Sequence, residues 1–543
     1  MFYEPGRSLA KITIRLMVFI ITAASLQAAE VSLGAPPDKH PDAFGNVIPD
    51  FSMAGYRNGG IALPTAPVME TLNPAGANTD DAARIQAAID RVAKLPKAGR
   101  DELRGAVLLT KGNYRCNTAL RVPAGVTLRG QGQDANGTVI TATMIPAAGS
   151  EPTLIHIEGQ GSLTAAGKPH AILDEAVPLG RRDLKVAEAA DFKPGDLVLV
   201  DRAASEAWIR DLKMDQIKLS AGGKQWKASE YRVQWTGRIL KVQGDTLTLD
   251  TPVLCALERR YGGGTVRPAT DTREGGAAVE NLRLISVYNP GQENSDERHA
   301  WNAISLGRLV DSWVRNVTAL HFAYACVNVS KTAARITVQD CAMLDPVSQI
   351  TGGRRYSFVG GGSQVLIQRC YARNGRHDFV TGHLEVGPTV FLDCLAEQTH
   401  ADIGPHHRWA CGQLYDNVRG GQINIQDRGG MGTGHGWAGN CQVLWNCAGT
   451  SILCQKPWIA SAQNWAIGCL GNPGKAALAG RPEGNWASRG QPVAPRSLYL
   501  SQLAARFESA GGKGAEAIRA VTTAEQQQGT LWENLHQRFA GDK

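Results

Sequence analysis

The segment Trp313–Val317 reads WVRNV, and its like returns as ITVQDC at Ile336–Cys341, VLIQRC at Val365–Cys370, VFLDC at Val390–Cys394, LYDNV at Leu414–Val418, VLWNC at Val443–Cys447 and WAIGC at Trp465–Cys469. Each is a short apolar run ending in Cys or Val, and the endings are spaced 24, 29, 24, 24, 29 and 22 residues apart. Most are β-branched, alternate in polarity and are bounded by Gly or polar turn residues, the marks of strands. Further strand-like runs lie between them at Ala303–Leu306, Cys326–Val329, Tyr356–Val359, Asp378–Val380, Gln422–Ile425 and Ser451–Cys454. A period of this length without helical stretches predicts the coils of an all-β parallel β-helix, a solenoid in which each coil buries its inner face only by stacking. The Cys/Val endings would form an inward ladder with equivalent residues about 4.8 Å apart. Asn316, Asp340, Asp393 and Asn446, just before the endings, would sit at a bend. A propeller is disfavoured, because its blades run to about 40–50 residues.

The first half fits the same plan. Asn78–Val92 offers Thr79 or Asp80 as a cap, with Ile85, Ile89 and Val92 on one helical face. Such a helix suits the open end of a solenoid, whose strand edges need a cover. The segments TDDAARIQAAID at Thr79–Asp90, GAVLLTKGNYRC at Gly105–Cys116 and LRVPAGVTLRGQG at Leu120–Gly132 resemble the pectate-lyase-like superfamily of right-handed parallel β-helix proteins, and the coil repeat extends the likeness over most of Asn78–Leu470. The resemblance implies a secreted protein of the kind that includes polysaccharide lyases, glycoside hydrolases, epimerases and phage tailspikes. It selects no single family, and fold alone does not fix chemistry.

The predicted organisation is a signal peptide at 1–29, an extended segment at 30–77, a cap helix and first coils at 78–173, an inserted β module at 174–265, the main coils with the active groove at 266–470 and an irregular, helical tail at 471–543. The signal reading rests on Arg7, Lys11 and Arg15 ahead of the apolar run Leu16–Ala24. That run is too short to span a bilayer, so an exported, periplasmic or secreted protein without a stable transmembrane segment is expected. The module carries Trp208, Trp226 and Trp235, read as its small core or as part of a sugar-stacking face. In the tail, Ser497–Phe507 and Ala515–Glu525 look helical.

With 61 Gly and 26 Pro in 543 residues, 43% hydrophobic and 20% charged, the chain is neither disordered nor a coiled coil. A formal charge of +7 without a Lys/Arg block argues against a nucleic-acid partner. It remains compatible with an anionic polymer. The eleven Cys show no C-x-x-C spacing, so they signal neither zinc nor redox chemistry and are expected mostly as buried thiols.

Only 12 His occur in the chain, yet six lie between Gly375 and Gly436: His377, His383, His400, His406, His407 and His435. Their carriers are GRHDFVTGH at Gly375–His383, THADIGPHHRW at Thr399–Trp409 and DRGGMGTGHGW at Asp427–Trp437. His383 is 11 residues before Cys394, His407 is 11 before Val418, His435 is 12 before Cys447, and Asp378 and Asp402 are each 16 before their own ladder residue. This register predicts a stack of His383, His407 and His435, with Asp378 and Asp402 paired on a nearby wall.

Two chemistries suit such a patch. A lyase acting on a uronate by β-elimination needs positive groups against the carboxylate and a base at the ring carbon. Arg376, Arg408 and Arg428 would clamp the carboxylate. His407, His377, His435 or His406 would be the base, with a second His such as His383, or Tyr415, as acid. Asp378 and Asp402, with Asp427 in reserve, are candidate Ca²⁺ ligands. A hydrolase would instead use two carboxyl groups, about 5–5.5 Å apart for retention or about 6.5–9.5 Å for inversion, drawn from Asp378, Asp402 and Asp427. A non-catalytic glycan-binding solenoid is the third reading. The expected partner throughout is an acidic polysaccharide, with Trp409 and Trp437 either stacking on sugars or filling core. The structural alternative for the aspartates is bonding to nearby turn amides.

Overall fold

The computed structural model describes residues 41–511 and 528–542, apart from 77, 100, 101 and 148. The predicted signal peptide and the Ala515–Glu525 helix lie outside the described residues. The ladder forms as the spacing requires. Val317, Cys341, Cys370, Cys394, Val418, Cys447 and Cys469 all belong to one continuous apolar core. The amide after each ladder residue bonds the carbonyl of the preceding ladder residue: Tyr371 to Cys341 at 2.9 Å, Leu395 to Cys370 at 3.0 Å, Arg419 to Cys394 at 2.9 Å, Ala448 to Val418 at 2.9 Å and Leu470 to Cys447 at 2.8 Å. All eleven cysteines are buried free thiols.

The bend before each ladder residue has a specific backbone cause. Asn316, Asp340, Arg369, Asp393, Asn417 and Asn446 all have φ between 49° and 56°. This left-handed region is one that Asn and Asp tolerate better than most residues. Arg369 is the exception in type, and its guanidinium is held on the Asp340 carboxylate at 2.8 and 2.9 Å.

The strands build a right-handed parallel β-helix. Its larger sheet joins 21 strands, and a second sheet of seven runs from Leu120–Pro123 through Thr153–Glu158, Asn302–Gly307, Ala325–Val329, Phe358–Gly360 and Phe379–Thr381 to Gly404–Pro405. The helix Ala82–Ala93 covers the first coils with Ile85, Ile89 and Val92 buried, as the sequence predicts. Its N-cap is Asp81, one residue beyond the expected pair, while Asp80 accepts the Ala82 amide at 3.2 Å.

An antiparallel module interrupts the solenoid. Its strands run from Leu163–Ala165 to Thr265–Asp271, wider than the expected 174–265 because the outermost segments pair with each other. Trp208, Trp226 and Trp235 are buried in the apolar layer between module and coils, which also takes in Trp409 and Trp437. At the other end, Leu498–Ser509 is helical, with the Ser497 hydroxyl accepting the Leu500 amide at 3.1 Å. A further helix, Gln528–Phe539, buries Trp532, Leu535 and Phe539 against Tyr371 and Leu395.

Candidate functional site

The second sheet delivers the histidines to one end of the groove. Val380 pairs with Gly404 and Thr381 with Pro405, so the turns following these strands lie one coil apart. His383 and His407 stack with ring centroids 6.2 Å apart, and His407 and His435 are 5.0 Å apart. His406 joins them from the side, 5.3 Å from His407 and 4.9 Å from His435, and His377 lies 4.5 Å from His406. Five of the six singled-out imidazoles therefore meet. His400 points elsewhere, its Nε2 on the Asn374 side-chain oxygen at 2.6 Å.

The His435 turn is shaped from outside the solenoid. Trp226 Nε1 donates to the Gly434 carbonyl at 3.2 Å, the Lys224 amide to Thr433 at 3.1 Å and the Ser220 hydroxyl to Gly430 at 2.9 Å. Gly436 has φ +57°, and a Cβ there would meet Met214 Sδ at 2.5 Å and the Trp226 ring at 2.7 Å. The module and this turn approach too closely for any side chain.

Beneath the half-exposed His383, His407 and His435 lies a buried polar layer. His377 Nδ1 faces the Asp402 carbonyl at 2.7 Å and its carboxylate at 3.3 Å, which places the proton on Nδ1 and the lone pair on Nε2. Asp402 also takes Arg428 at 2.5 Å and Gln426 at 3.0 Å. Burial opposes its charge, but Arg428 and His377 outweigh burial and hold the carboxyl well below the usual range. The Tyr356 hydroxyl and His406 Nε2 share a 2.9 Å hydrogen bond.

Burial, and then neighbouring positive groups, push these half-buried imidazoles down, His407 to about 3 and His383 and His435 to about 4. At neutral pH they are uncharged and weakly basic.

Several predicted roles meet a different environment. Trp409 is 1% exposed and Trp437 0%, so neither offers a face to a sugar. Trp409 packs edge-on to Trp208 at 5.0 Å and donates to Cys255 Sγ at 3.4 Å. Tyr415 is inside the solenoid, stacked on Phe391 at 5.0 Å, and burial raises its phenol far above any useful acid range. Asp378 is fully buried, accepts the Ser357 hydroxyl at 2.6 Å and is pushed by burial up to about 7. Asp427 accepts the Gly429 amide at 2.8 Å and Arg481 at 2.7 Å. Asp402 is pinned by Arg428 and Asp427 by Arg481, while Asp378 keeps Oδ2 buried without a hydrogen-bond partner among the described residues. Among the described residues, the group whose ligand atoms converge as a metal site is His170, Glu188 and Asp191 in the inserted module. There the Lys168 ammonium already lies against Glu188.

The sequence reading missed Glu385. Its carboxyl accepts the Gly382 amide at 2.5 Å and lines a cavity of about 370 Å³ between module and coils, shared with Lys331, Arg232, Gln234 and Ser363. Burial raises it to about 7, with the Gly382 amide and Lys331 partly opposing. A Cβ on Gly382 would meet Glu385 Oε1 at 3.4 Å and His407 Cε1 at 3.6 Å, so carboxyl and imidazole flank the same small opening. The signal available in the sequence was an acid two residues beyond His383 in a turn with no Lys or Arg to pair with it.

No family model matches the chain, and no curated protein matches it. Solved structures with similar shape include the tailspike gp49 of Pseudomonas phage LKA1, at 15% identity and a TM-score of 0.43 over 73% of this chain. The match spans 58% of the tailspike's own length. The catalytic unit of a GH87 alpha-1,3-glucanase from Streptomyces thermodiastaticus strain HF3-3 gives 11% and 0.35, covering 80% of this chain and 71% of that one. An alginate lyase from Paenibacillus sp. str. FPU-7 gives 8% and 0.31, covering 79% and 100%. The chain has a parallel β-helix fold. That assignment stands on the parallel strand register described above, and no reaction is carried across from these proteins.

Proposed function

We propose that the protein cleaves a uronate-containing acidic polysaccharide by β-elimination in the groove at 376–435. The observation that carries this reading is Glu385, a carboxyl lining a cavity with Lys331, Arg232 and Arg273, flanked across Gly382 by His407, with its pKa moved to about 7. A base works best when its pKa lies near the operating pH. Glu385 meets that condition better than His407, which the sequence ranks first but whose pKa of about 3 makes it a feeble base.

In the proposed reaction Arg376 and Arg408 lie against the uronate carboxylate and stabilise the charge that develops on it. Glu385 takes the proton alpha to that carboxylate. The C–H electron pair becomes the new carbon–carbon double bond, and the glycosidic oxygen leaves with a proton from Lys331, whose ammonium is weakened by burial. Neutral His383, His407 and His435 donate hydrogen bonds to the sugar. The hydrolase alternative would have to use Asp402 or Asp427, each held by an arginine, or Asp378, which is fully buried. The basic and apolar start of the sequence supports an exported setting, where such a polymer is met.

The test is a screen of anionic and neutral polysaccharides followed by ultraviolet absorbance and product mass. Elimination gives a conjugated, absorbing end and adds no water. Saturated products carrying one added water per cut would reject the lyase reading, and binding without turnover would leave a glycan-binding solenoid.

A further inference from the structure

We infer that His406, His407 and His435 form a binding site for one transition-metal dication of the zinc class. The three ring centroids make a nearly equilateral triangle with sides of 5.3, 4.9 and 5.0 Å. Three imidazoles bound tetrahedrally to one ion, with metal–nitrogen bonds of about 2.0–2.1 Å, place their ring centroids about 5 Å apart. The triangle therefore already has the size that a three-histidine site needs.

The nitrogens fit as well. Nδ1 of all three residues is buried and has no hydrogen-bond partner among the described residues. Unpaired buried polar atoms are uncommon and call for an explanation. The remaining nitrogen of His406, Nε2, is held by the Tyr356 hydroxyl at 2.9 Å. A metal-bound imidazole commonly uses its second nitrogen in this way, to fix ring orientation. In their present rotamers the three nitrogens do not converge within 4.8 Å as those of His170, Glu188 and Asp191 do, so binding requires the rings to turn inward. Imidazole-only ligation favours zinc, copper, nickel or iron over calcium, which separates this site from a carboxylate-held Ca²⁺. Three protein ligands leave a fourth position facing the groove. The cations that oppose the ion are Arg428, which Asp402 compensates at 2.5 Å, together with Arg408 and Lys331.

The inference concerns the same groove as the proposed elimination but does not rest on that reaction. The full chain is stripped with a chelator, dialysed and titrated with Zn²⁺ by calorimetry, and separately with Co²⁺ by visible absorption. The expected result is one equivalent of Zn²⁺ and a cobalt spectrum of four- or five-coordinate nitrogen ligation. His435→Ala and His407→Ala are each expected to weaken binding at least 100-fold, and Tyr356→Phe about tenfold. His170→Ala is expected to leave binding unchanged. Failure of the wild-type chain to take up either ion overturns the inference. So does uptake that survives both the His435→Ala and His407→Ala substitutions, or that disappears in His170→Ala. Because two ligands are tested separately and circular dichroism checks each variant, one misfolded variant does not decide the outcome. Metal uptake without ultraviolet-absorbing products would sink the elimination and keep the metal, whereas elimination by fully chelated protein with no uptake would do the reverse.

Discussion

Replacing Glu385 with Gln should make the protein more stable at alkaline pH and no more stable at acidic pH. The carboxyl moves from 4.5 to about 7 on folding, chiefly through burial. A shift of about 2.5 units corresponds to about 3 kcal/mol. Glu385 is 8% exposed, so solvent screening removes little of this. Below pH 4.5 the group is protonated in both folded and unfolded chains and contributes no difference. As the pH rises toward 7 the unfolded chain ionises first, and the wild type loses stability until the folded carboxyl also ionises. Gln carries no such term, and its side-chain oxygen can still accept the Gly382 amide. Asp378 and Asp416, also raised to about 7 by burial, are present in both proteins and cancel in the comparison. Urea midpoints measured at pH 4 and pH 8.5 should therefore diverge, with the variant ahead at pH 8.5 by up to about 3 kcal/mol. A gap that is the same at both pH values would refute the reasoning. A variant weaker only at pH 8.5 would show that Lys331 pairs with an ionised Glu385 and that burial does not dominate.

On an acidic substrate, kcat/KM should rise with pH through about 7 as Glu385 ionises, and Glu385→Gln should lower kcat by about 10²–10⁴-fold; a flat profile in steady-state assays would remove Glu385 as the base. Gly382→Ala adds a methyl at ordinary contact distance, 3.4 Å from Glu385 and 3.6 Å from His407, so it should leave the melting temperature within a degree or two while cutting turnover severalfold. Trp409→Ala should destabilise the fold by about 3–5 kcal/mol with the product pattern unchanged, whereas a sugar-stacking Trp would chiefly raise KM. Titration of denatured, unreduced protein should find eleven thiols, as the buried free cysteines require.

The parts of this molecule that repeat could be read from the sequence. The ladder was visible because each coil must place a small apolar residue at the same inward position, and the bend because a left-handed residue is needed just before it. Register along the ladder also placed His383, His407 and His435 together. Non-repeating contacts were not visible in the same way. His406 faces its neighbours sideways, and His377 meets His406 ring to ring, across turns whose lengths follow no strand period. Trp409 and Trp437 looked available because nothing in their own coils shows that the inserted module covers them. Glu385 has no counterpart in adjacent coils, so the register that exposed the histidines passed over it. The helix Gln528–Phe539 carries its apolar stripe in Trp532, Leu535 and Phe539, but it follows a break in the period and was absorbed into a generic tail.

The tether between Trp226, Lys224, Ser220 and the His435 turn joins positions about two hundred residues apart, and it bears on when the groove becomes complete. The segment that shapes the turn is synthesised long before the turn itself, so although the module shares its apolar layer with Leu366, Val386 and Val390, its bonds to this turn wait until the chain has grown past Trp437. Only then can the last imidazole be brought into place beside the others. A cut in the exposed stretch around Gly222 and Gly223 would leave every coil stacked and every ladder bond intact, yet it would release the one turn whose shape comes from elsewhere. Loss of chemistry would precede loss of fold, and residual activity after limited proteolysis would measure docking of the module and not survival of the solenoid.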